Sequence, residues 1–472
     1  MAVYWAYLSF LPIAALCFAR LPLRTAILLV LIGGWWLLPV ARYGPGAPGT
    51  NSPWWITGIA LPSDMAVTKA WVPPLVAFVG AAVADLRSLR NWQPSWIDLP
   101  MAGWCLWPFI DHIGSANPPA LLASLYVTGA WGFPWLIGRV WFSDAGGARA
   151  LTRGIALSGL ANLPVAIIEG VRPPMLYGLV YGPHPYRFDG IDRYVGYRPI
   201  GFLENGNLYG LWTALAAFAA ISLLQDRETS SRGWVALAII NVIVALASQS
   251  VGAIILLAVG TALLAMWRSR LVMPALIGAA ALVVLAAAIY LSGILPIREL
   301  AHTPAGEHLI GLMRSIGRGS FFWRISQDTK TLGTITSHPL LGTAQWDWWR
   351  PYHTRPWGQP ILLIGQYGLI GLVLAWGSLI ATCAVAVKRA RELRGGTFDP
   401  ALPLAIMVLL ALADAALNAF FFSPAILAAG AIAVGRKGRG ATGVWRGENQ
   451  RSRPRLPRGR GRSAAAKQNH KA

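Results

Sequence analysis

The feature that most constrains this chain is a series of long apolar stretches, many of them close to 20 residues, joined by short polar connections. Roughly 20 helical residues cross the hydrocarbon core of a bilayer, which is about 30 Å thick. Only 12% of the residues are charged, about half of the fraction found in ordinary soluble domains. The pattern predicts a polytopic membrane protein and excludes an ordinary soluble enzyme or a disordered chain.

The apolar runs predict twelve or thirteen transmembrane helices, because several of the runs are short. The fold is predicted to be all-α, since in lipid a helix satisfies its own backbone polar groups within one segment. The predicted spans cover residues 4–19, 25–41, 66–84, 99–113, 119–140, 154–170, 206–224, 234–248, 251–267, 272–293, 360–387, 401–417 and 420–434.

Basic residues occur in every second short connection between these spans. Lys and Arg accumulate in cytoplasmic loops, so this alternation assigns the basic connections to the cytoplasm. The residues concerned are Arg20, Arg24, Arg87, Arg90, Arg149, Arg153, Arg227, Arg232, Arg268, Arg270, Lys388, Arg389, Arg391 and Arg394. Longer connections can cross the membrane despite positive charge, and the loops at 171–205 and 294–358 are therefore expected outside.

The basic series ends in a tail, residues 435–472, in which twelve Lys or Arg and one acid give a net charge of +11. The tail is rich in Gly, Pro and Ser, and we expect it to be disordered and attracted to anionic membrane lipids. No motif supports binding of nucleic acid. The remaining predicted regions are N-terminal helices (1–170), an outer loop (171–205), central helices (206–293), a large outer loop (294–358) and C-terminal helices (359–434).

The large outer loop has its own helical pattern. Leu309, Leu312, Met313 and Ile316 follow the spacing of an amphipathic helix, and a second helical stretch is expected over residues 320–337. The sequence therefore predicts a large helical extracytoplasmic loop that lies on the membrane surface.

Two residues of the second stretch and its end are candidates for a site. The guanidinium of Arg324 matches phosphate oxygens in a bidentate manner, although an ion pair with Asp328 one turn away would explain it equally well. His338 precedes Pro339 at a helix end, where capping or packing is the default role.

A third candidate, His353, lies on an irregular segment between Arg350 and Arg355. Neighbouring cations favour the neutral form of an imidazole, which suits a general base. The alternative is an ordinary solvated loop histidine.

In the smaller loop, Arg198 is followed by Asn205 and Asn207 at the start of a span. The asparagines could cap that helix or hold a ligand at the membrane surface. Glu169, Lys69 and Asp414 are expected near span ends, where exposure to lipid headgroups costs little. The three cysteines show no metal-binding spacing and are expected to be free thiols.

Four short motifs follow one another along the chain. They are Arg198–Asn207 before a helix, Ser248–Ala253 in a turn between spans, Arg324 with His338–Gly342, and His353 with Gln366–Gly371. In this order they resemble the motifs of the O-antigen ligase and polymerase superfamily of membrane glycosyltransferases, and the likeness covers residues 198–387. Two positions differ: Val251 stands where the family has an arginine, and Thr354 where it has an asparagine after the histidine.

The resemblance implies transfer of a glycan from an undecaprenyl-diphosphate carrier to a hydroxyl of lipid A core, of another glycan or of a protein, outside the bacterial inner membrane. His353 would be the general base, and Arg324 with Arg198 would stabilise the departing diphosphate. Inversion at the anomeric carbon follows from direct attack. No Asp-x-Asp pair occurs in an outer loop, so neither a metal nor another cofactor is expected. The substrate-binding set would add Asn205, Asn207, His338, Arg350 and Arg355.

Two other functions stay open at this point. A transporter or flippase of lipid-linked sugars is compatible with many spans and cationic outer loops, although the sequence shows no inverted repeat or broken helix. A catalytically inactive relative that acts as a scaffold is the third alternative, and it rests on Val251.

Overall fold

The structure is a computed structural model. It describes residues 2–40, 67–115, 119–184, 195–226, 231–267, 269, 271–292, 299, 302–315, 320–352, 356–392, 398–419 and 422–433. Within these ranges the regular secondary structure is helical and contains no β-strand, which confirms the all-α prediction. The chain divides into two units, residues 1–434 and 435–472, and the second of these, the basic tail, lies outside the described residues.

The N-terminal half contains twelve described α-helices. Two of the longer rods are continued through π-helical turns, Leu29–Gly33 between α2 and α3 and Thr128–Gly132 between α7 and α8. The helices are α1 (Ala2–Arg20), α2 (Leu23–Leu28), α3 (Gly34–Leu37), α4 (Val72–Ala84), α5 (Leu86–Asn91), α6 (Leu99–Asp111), α7 (Ala120–Val127), α8 (Phe133–Trp141), α9 (Ala145–Ser158), α10 (Asn162–Val171), α11 (Leu176–Tyr181) and α12 (Gly206–Leu223).

The described helices of the C-terminal half include three in the large loop. They are α13 (Arg232–Ala247), α14 (Val251–Ala265), α15 (Val272–Ser292), α16 (Pro304–Ser315), α17 (Ser320–Thr329), α18 (Leu332–Ser337), α19 (Gln359–Glu392), α20 (Ala401–Ala415) and α21 (Ser423–Ile432).

Within the described residues, five helical stretches are long and apolar enough to cross a membrane. They are Val3–Arg20, Ala120–Trp141, Ala145–Val171, Gly206–Leu223 and Gln359–Arg389. Seven shorter apolar helices, of 10–17 residues, lie at positions of other predicted spans. At 1.5 Å per residue these reach about 15–25 Å, less than a bilayer core. Helices of membrane-spanning length are thus confirmed, whereas the number of twelve or thirteen spans stays a prediction.

Helix α12 forms the centre of the bundle, because 89% of its 18-residue window is buried. It packs against α9, α13, α14 and α20. Helices α20 and α21 are also covered along most of their length. These three helices are rich in alanine, whose small side chain lets neighbouring helices approach closely.

The contact between α8 and α21 shows the same principle at its tightest. A Cβ on Gly138 would lie 2.3 Å from the carbonyl oxygen of Leu427, and one on Gly430 would lie 2.2 Å from that of Trp135. Both helices therefore need glycine where their backbones cross, as in membrane helix pairs.

The predicted helices of the large loop are present, with one break. Helix α16 confirms the amphipathic stretch, of which Ile316 lies outside the described residues. The expected second helix is divided into α17 and α18, because the chain makes a turn at Thr331, just before α18. The backbone N–H and the hydroxyl of Thr331 both donate to the carbonyl of Asp328, at 3.0 and 2.7 Å. A threonine hydroxyl competes in this way with helical hydrogen bonds.

Candidate functional site

Arg324 projects from α17 onto residues that precede α19 and follow α20. Its Nη1 donates to the side-chain oxygen of Asn418. Its guanidinium carbon lies 5.3 Å from the ring centroid of Trp357, a cation–π distance. The ring of Trp323, the preceding residue, lies 5.5 Å from the same indole. The hydrogen bond to Asn418 and the aromatic face of Trp357 both help to locate the guanidinium.

Asp328, one turn beyond Arg324 on α17, joins this loop helix to the start of α19. Its two carboxylate oxygens accept from the backbone N–H groups of Trp357 and Gly358. The side chain is 1% exposed, so this carboxylate fixes the indole on which Arg324 rests. The sequence offered Asp328 only as an ion-pair partner of Arg324.

Asn418, the residue that accepts from Arg324, also lines a small cavity inside the bundle. It has a volume of about 30 Å³, and its polar lining comes from Gln359, Asp414 and Asn418. Room of this size admits a water molecule. The other lining residues are apolar, and they include Trp131 of the π-helical turn in the α7–α8 rod. Such turns occur frequently at functional sites.

Arg198 is held at the start of α12. It is 8% exposed, and its Nη2 donates to Oδ1 of Asn207 at 2.7 Å. Its aliphatic stem covers Gly206, where a Cβ would lie 2.6 Å from Cδ of the arginine. The side chain of Asn205 accepts from the backbone N–H groups of Asn207 and Leu208 at 2.9 and 3.1 Å. The capping alternative for Asn205 is thus present, and ligand binding by the two asparagines stays a prediction.

Each of the two arginines contacts an asparagine on, or just after, a helix that lines the cavity. Asn207 accepts from Arg198, and Leu211 follows one turn later on the same helix, about 6 Å along the axis. Leu211 lines the cavity whose polar wall includes Asn418, the acceptor for Arg324. Arg324 thus contacts a residue that lines the cavity, whereas Arg198 is joined to the cavity through helix α12.

The outer loop before α12 is built around Glu169. This carboxylate is fully buried. One oxygen accepts from the N–H groups of Met175 and Leu176 at 3.1 and 3.0 Å, and the other from Ile200 and Gly201 at 2.9 and 2.8 Å. The prediction that Glu169 is exposed to headgroups was wrong, because the loop folds back over the helix end and supplies four backbone donors.

The prediction that Lys69 is exposed to headgroups was also wrong, because residues of the same loop cover this lysine. Its ammonium lies 3.3 Å from the carboxylate of Glu204, and both side chains are about 5% exposed. It also donates to the carbonyl of Phe202 at 3.0 Å. Sequence reasoning overlooked Glu204 as a structural partner. The pair could have been suspected from the sequence, because Lys69 and Glu204 each lie beside an apolar span and neither has an oppositely charged residue within one helical turn.

The turn between α13 and α14 holds the other end of this loop. Gln249 has a positive φ of 50°. Its amide nitrogen donates to the carbonyls of Val195 and Tyr197 at 2.8 and 3.1 Å, and its amide oxygen accepts from the N–H of Val195 at 3.2 Å. Val251, the residue at which the sequence departs from the resembled motif, begins α14. The turn therefore contributes a glutamine clamp on the loop that carries Arg198.

Helix α19 is broken at Gly368, where φ is 67°. The segment after His338 lies along the break. Thr343 and Ala344 donate to the carbonyls of Gly365 and Gln366 at 2.9 and 3.0 Å. Leu369 in turn donates to the carbonyl of Pro339 at 2.8 Å. Hydrogen bonds therefore join two of the four motifs, His338–Gly342 and Gln366–Gly371. The break in the helix at Gly368 was not predicted from the sequence.

Of the two histidines predicted for the site, the structure describes His338. His338 ends α18 and is exposed, with its Nδ1 3.0 Å from the hydroxyl of Ser337. His353 and Arg355 lie outside the described residues, and Arg350 begins a short 3-10 helix. Just before His353, the hydroxyl of Tyr352 forms a hydrogen bond with that of Thr334. A catalytic role for His353 stays a prediction.

In the ranges that the structure covers, no three His, Cys, Asp or Glu side chains lie close enough together to hold a metal ion. Comparison of the chain with protein-family models and with curated proteins returns no match. The interpretation of the site therefore depends on its own geometry and chemistry.

Proposed function

We propose that this protein is a membrane glycosyltransferase or ligase that moves a glycan from an undecaprenyl-diphosphate carrier to an acceptor hydroxyl in surface polysaccharide biosynthesis. The acceptor is lipid A core, another glycan or a protein side chain. The reaction takes place on the extracytoplasmic face of a bacterial inner membrane. The helices of membrane-spanning length support a lipid-linked donor, because such a carrier stays within the bilayer.

The observation that carries the proposal is the placement of Arg324. The guanidinium is held by the indole of Trp357 and by the amide of Asn418, which lines a partly polar cavity inside the apolar bundle. A fixed planar cation in this position suits the headgroup of a lipid diphosphate, whose tail remains in the apolar phase. Arg198, held at the start of α12, supplies a second cation.

The chemistry follows from the leaving group. In the proposed step the acceptor oxygen bonds to the anomeric carbon as the bond from that carbon to the diphosphate oxygen breaks. Arg324 and Arg198 stabilise the charge that develops on the diphosphate. His353 takes the acceptor proton, and attack from the opposite face inverts the anomeric configuration. Asn205, Asn207, His338, Arg350 and Arg355 complete the proposed binding set.

The test is glycan transfer by the full chain in liposomes that contain the lipid-linked glycan and an acceptor. We expect Arg324→Ala and His353→Ala each to lower transfer by about 100-fold or more. Arg314→Ala, which removes an exposed arginine from α16 in the same loop, is the control and retains activity. Wild-type transfer by Arg324→Ala would exclude the proposed mechanism.

A second candidate, a flippase of lipid-linked sugars, is favoured by the broken helix at Gly368, since broken helices line the substrate path in many transporters. Movement of a labelled lipid-linked sugar between leaflets, measured without any acceptor, tests it. Flipping that depends on the protein, together with no transfer, would replace the first proposal by the second.

A further inference from the structure

Asn418 links two charged side chains that belong to different parts of the chain. Its amide nitrogen donates to Oδ1 of Asp414 at 2.9 Å, and its amide oxygen accepts from Nη1 of Arg324. The order along this connection is carboxylate, amide, guanidinium. Asn418 is 6% exposed, so the amide is largely shielded from water.

The chemistry of the two neighbours fixes the direction of the amide. An ionised carboxylate only accepts hydrogen bonds and a guanidinium only donates them, so the nitrogen of Asn418 must face Asp414 and its oxygen must face Arg324. The backbone supports the same arrangement, because the N–H of Asn418 donates to the carbonyl of Asp414 at 2.8 Å. One helical turn at the end of α20 therefore orients the acceptor for an arginine 94 positions away.

A second contact that fixes the position of the Arg324 guanidinium depends on its own helix, α17. Asp328 binds the backbone at Trp357, and the indole of that residue faces the guanidinium at 5.3 Å. The arginine is thus positioned by α17 through an aromatic face and by α20 through an amide. Movement of either helix would change the direction of the guanidinium.

We infer that Asn418 and Asp414 are positioning residues that orient Arg324 toward the diphosphate of a polyprenyl carrier. The inference rests on the function proposed above. The amide supplies a hydrogen-bond acceptor without placing a negative charge in contact with the guanidinium. A carboxylate at position 418 would compete with the phosphate for the same donor and would repel it, since like charges in contact disfavour each other.

The test exchanges the two side chains. Asp414→Asn together with Asn418→Asp keeps the net charge, and it lets position 414 donate to position 418. At position 418 a carboxylate then replaces the neutral amide that accepts from Arg324. The probe is undecaprenyl diphosphate, and its affinity for the full chain in detergent is measured for the wild type, the exchanged variant and each single variant.

We expect the exchanged variant and Asn418→Asp to bind the probe about tenfold more weakly, the size of one charge-assisted hydrogen bond. In the transfer assay the same loss raises KM more than it lowers kcat. Asp414→Asn alone can still accept from Asn418, and it loses less affinity. Asn418→Ala, which removes the acceptor and adds no charge, provides an independent measurement with an expected loss of about threefold.

The outcomes separate the inference from the function on which it rests. Wild-type affinity in the exchanged variant, or in Asn418→Ala should the exchanged variant not fold, overturns the positioning role while the proposed function stands. If Arg324→Ala itself binds the probe like the wild type, the phosphate contact is absent and both proposals fail. Thermal unfolding of each variant shows whether it is folded.

Discussion

The two ends of the helix bundle use arginine in different ways. At the end with the short basic connections, which we call the basic end, arginines contact carboxylates directly. At the other end, the loop end, Arg198 and Arg324 donate to the amides of Asn207 and Asn418. The pairs at the basic end are Arg24 with Asp144, Arg139 with Asp98, Arg149 with Asp226 and Arg389 with Asp399.

This difference in partners separates arginines that stabilise the fold from arginines that suit an anionic ligand. An arginine in contact with a carboxylate gains stability from that pair and gives a weaker field to an incoming anion. A hydrogen bond to an amide also positions a guanidinium, and the amide itself adds no negative charge. Two carboxylates of the loop end, Glu169 and Asp328, accept from main-chain N–H groups instead, and Glu204 pairs with a lysine, Lys69.

The largest expected effect concerns the buried pair at the basic end. Arg139 and Asp98 are 4% and 9% exposed, and their side chains form two hydrogen bonds at 2.7 and 3.0 Å. Asp98→Ala leaves the guanidinium buried without this partner, which costs about 3–5 kcal/mol. Thermal unfolding in detergent measures the loss. Asp144→Ala, which breaks the exposed pair with Arg24, is the control and changes stability by less than about 1 kcal/mol.

The comparison predicts that Asp98→Ala lowers the amount of folded protein while each folded molecule still binds undecaprenyl diphosphate normally. A tenfold loss of affinity in the folded fraction would show that the two ends are not separate in function.

A substitution at the helix break tests the architecture of the loop end. Gly368 has φ of 67°, and a Cβ there would lie 1.9 Å from the carbonyl oxygen of Leu340. Gly368→Ala is expected to destabilise the protein by about 3 kcal/mol, through backbone strain and displacement of the docked segment. Gly377→Ala in the same helix has no atom within 4 Å of the added carbon and should leave the unfolding temperature unchanged. Equal effects of the two substitutions would contradict the break.

The carboxylate at the centre of the smaller loop is expected to have a somewhat smaller effect. Glu169→Gln keeps the shape but leaves an NH₂ group against two backbone donors, at a cost of about 2–3 kcal/mol. The described part of the loop that contains Arg198 should exchange its amide hydrogens faster. Glu307→Gln, at an exposed position of α16, is the matched control. Unchanged exchange at Ile200 and Gly201 in Glu169→Gln would argue against the four hydrogen bonds.

The smallest effect near neutral pH concerns the protonation of Asp98. Burial raises the pKa of this carboxyl, but the hydrogen bonds and the charge of Arg139 outweigh burial, and the pKa lies below its ordinary value. A lowered folded-state pKa gives stability that is present above the unfolded pKa, about 4, and lost as the pH falls through the folded value. Stability should therefore fall below about pH 4 in the wild type, and this component should be absent in Asp98→Ala. Parallel acid unfolding curves would contradict it.

Much of the helical layout was predictable because it depends on local pattern. The apolar runs located helices of membrane-spanning length, and the spacing of Leu309 and Leu312 located α16. The candidate residues were chosen by type and position, and one of them, Arg324, contacts a residue that lines the cavity. The break at Gly368 was missed, because the sequence around it reads as a continuous apolar helix and the segment that stabilises the break comes from another part of the chain.

What the sequence determined by itself was therefore the helical class, the membrane-spanning length of the apolar stretches and the concentration of cations in two loops, since each depends on neighbours within a few turns. Tertiary structure alone decided the partners: Asn418 for Arg324, Asp98 for Arg139, and the main chain of Ile200 for Glu169. The physical reason is that a buried polar group must find a partner wherever packing brings one near, and in these three cases the partner lies 94, 41 and 31 positions away.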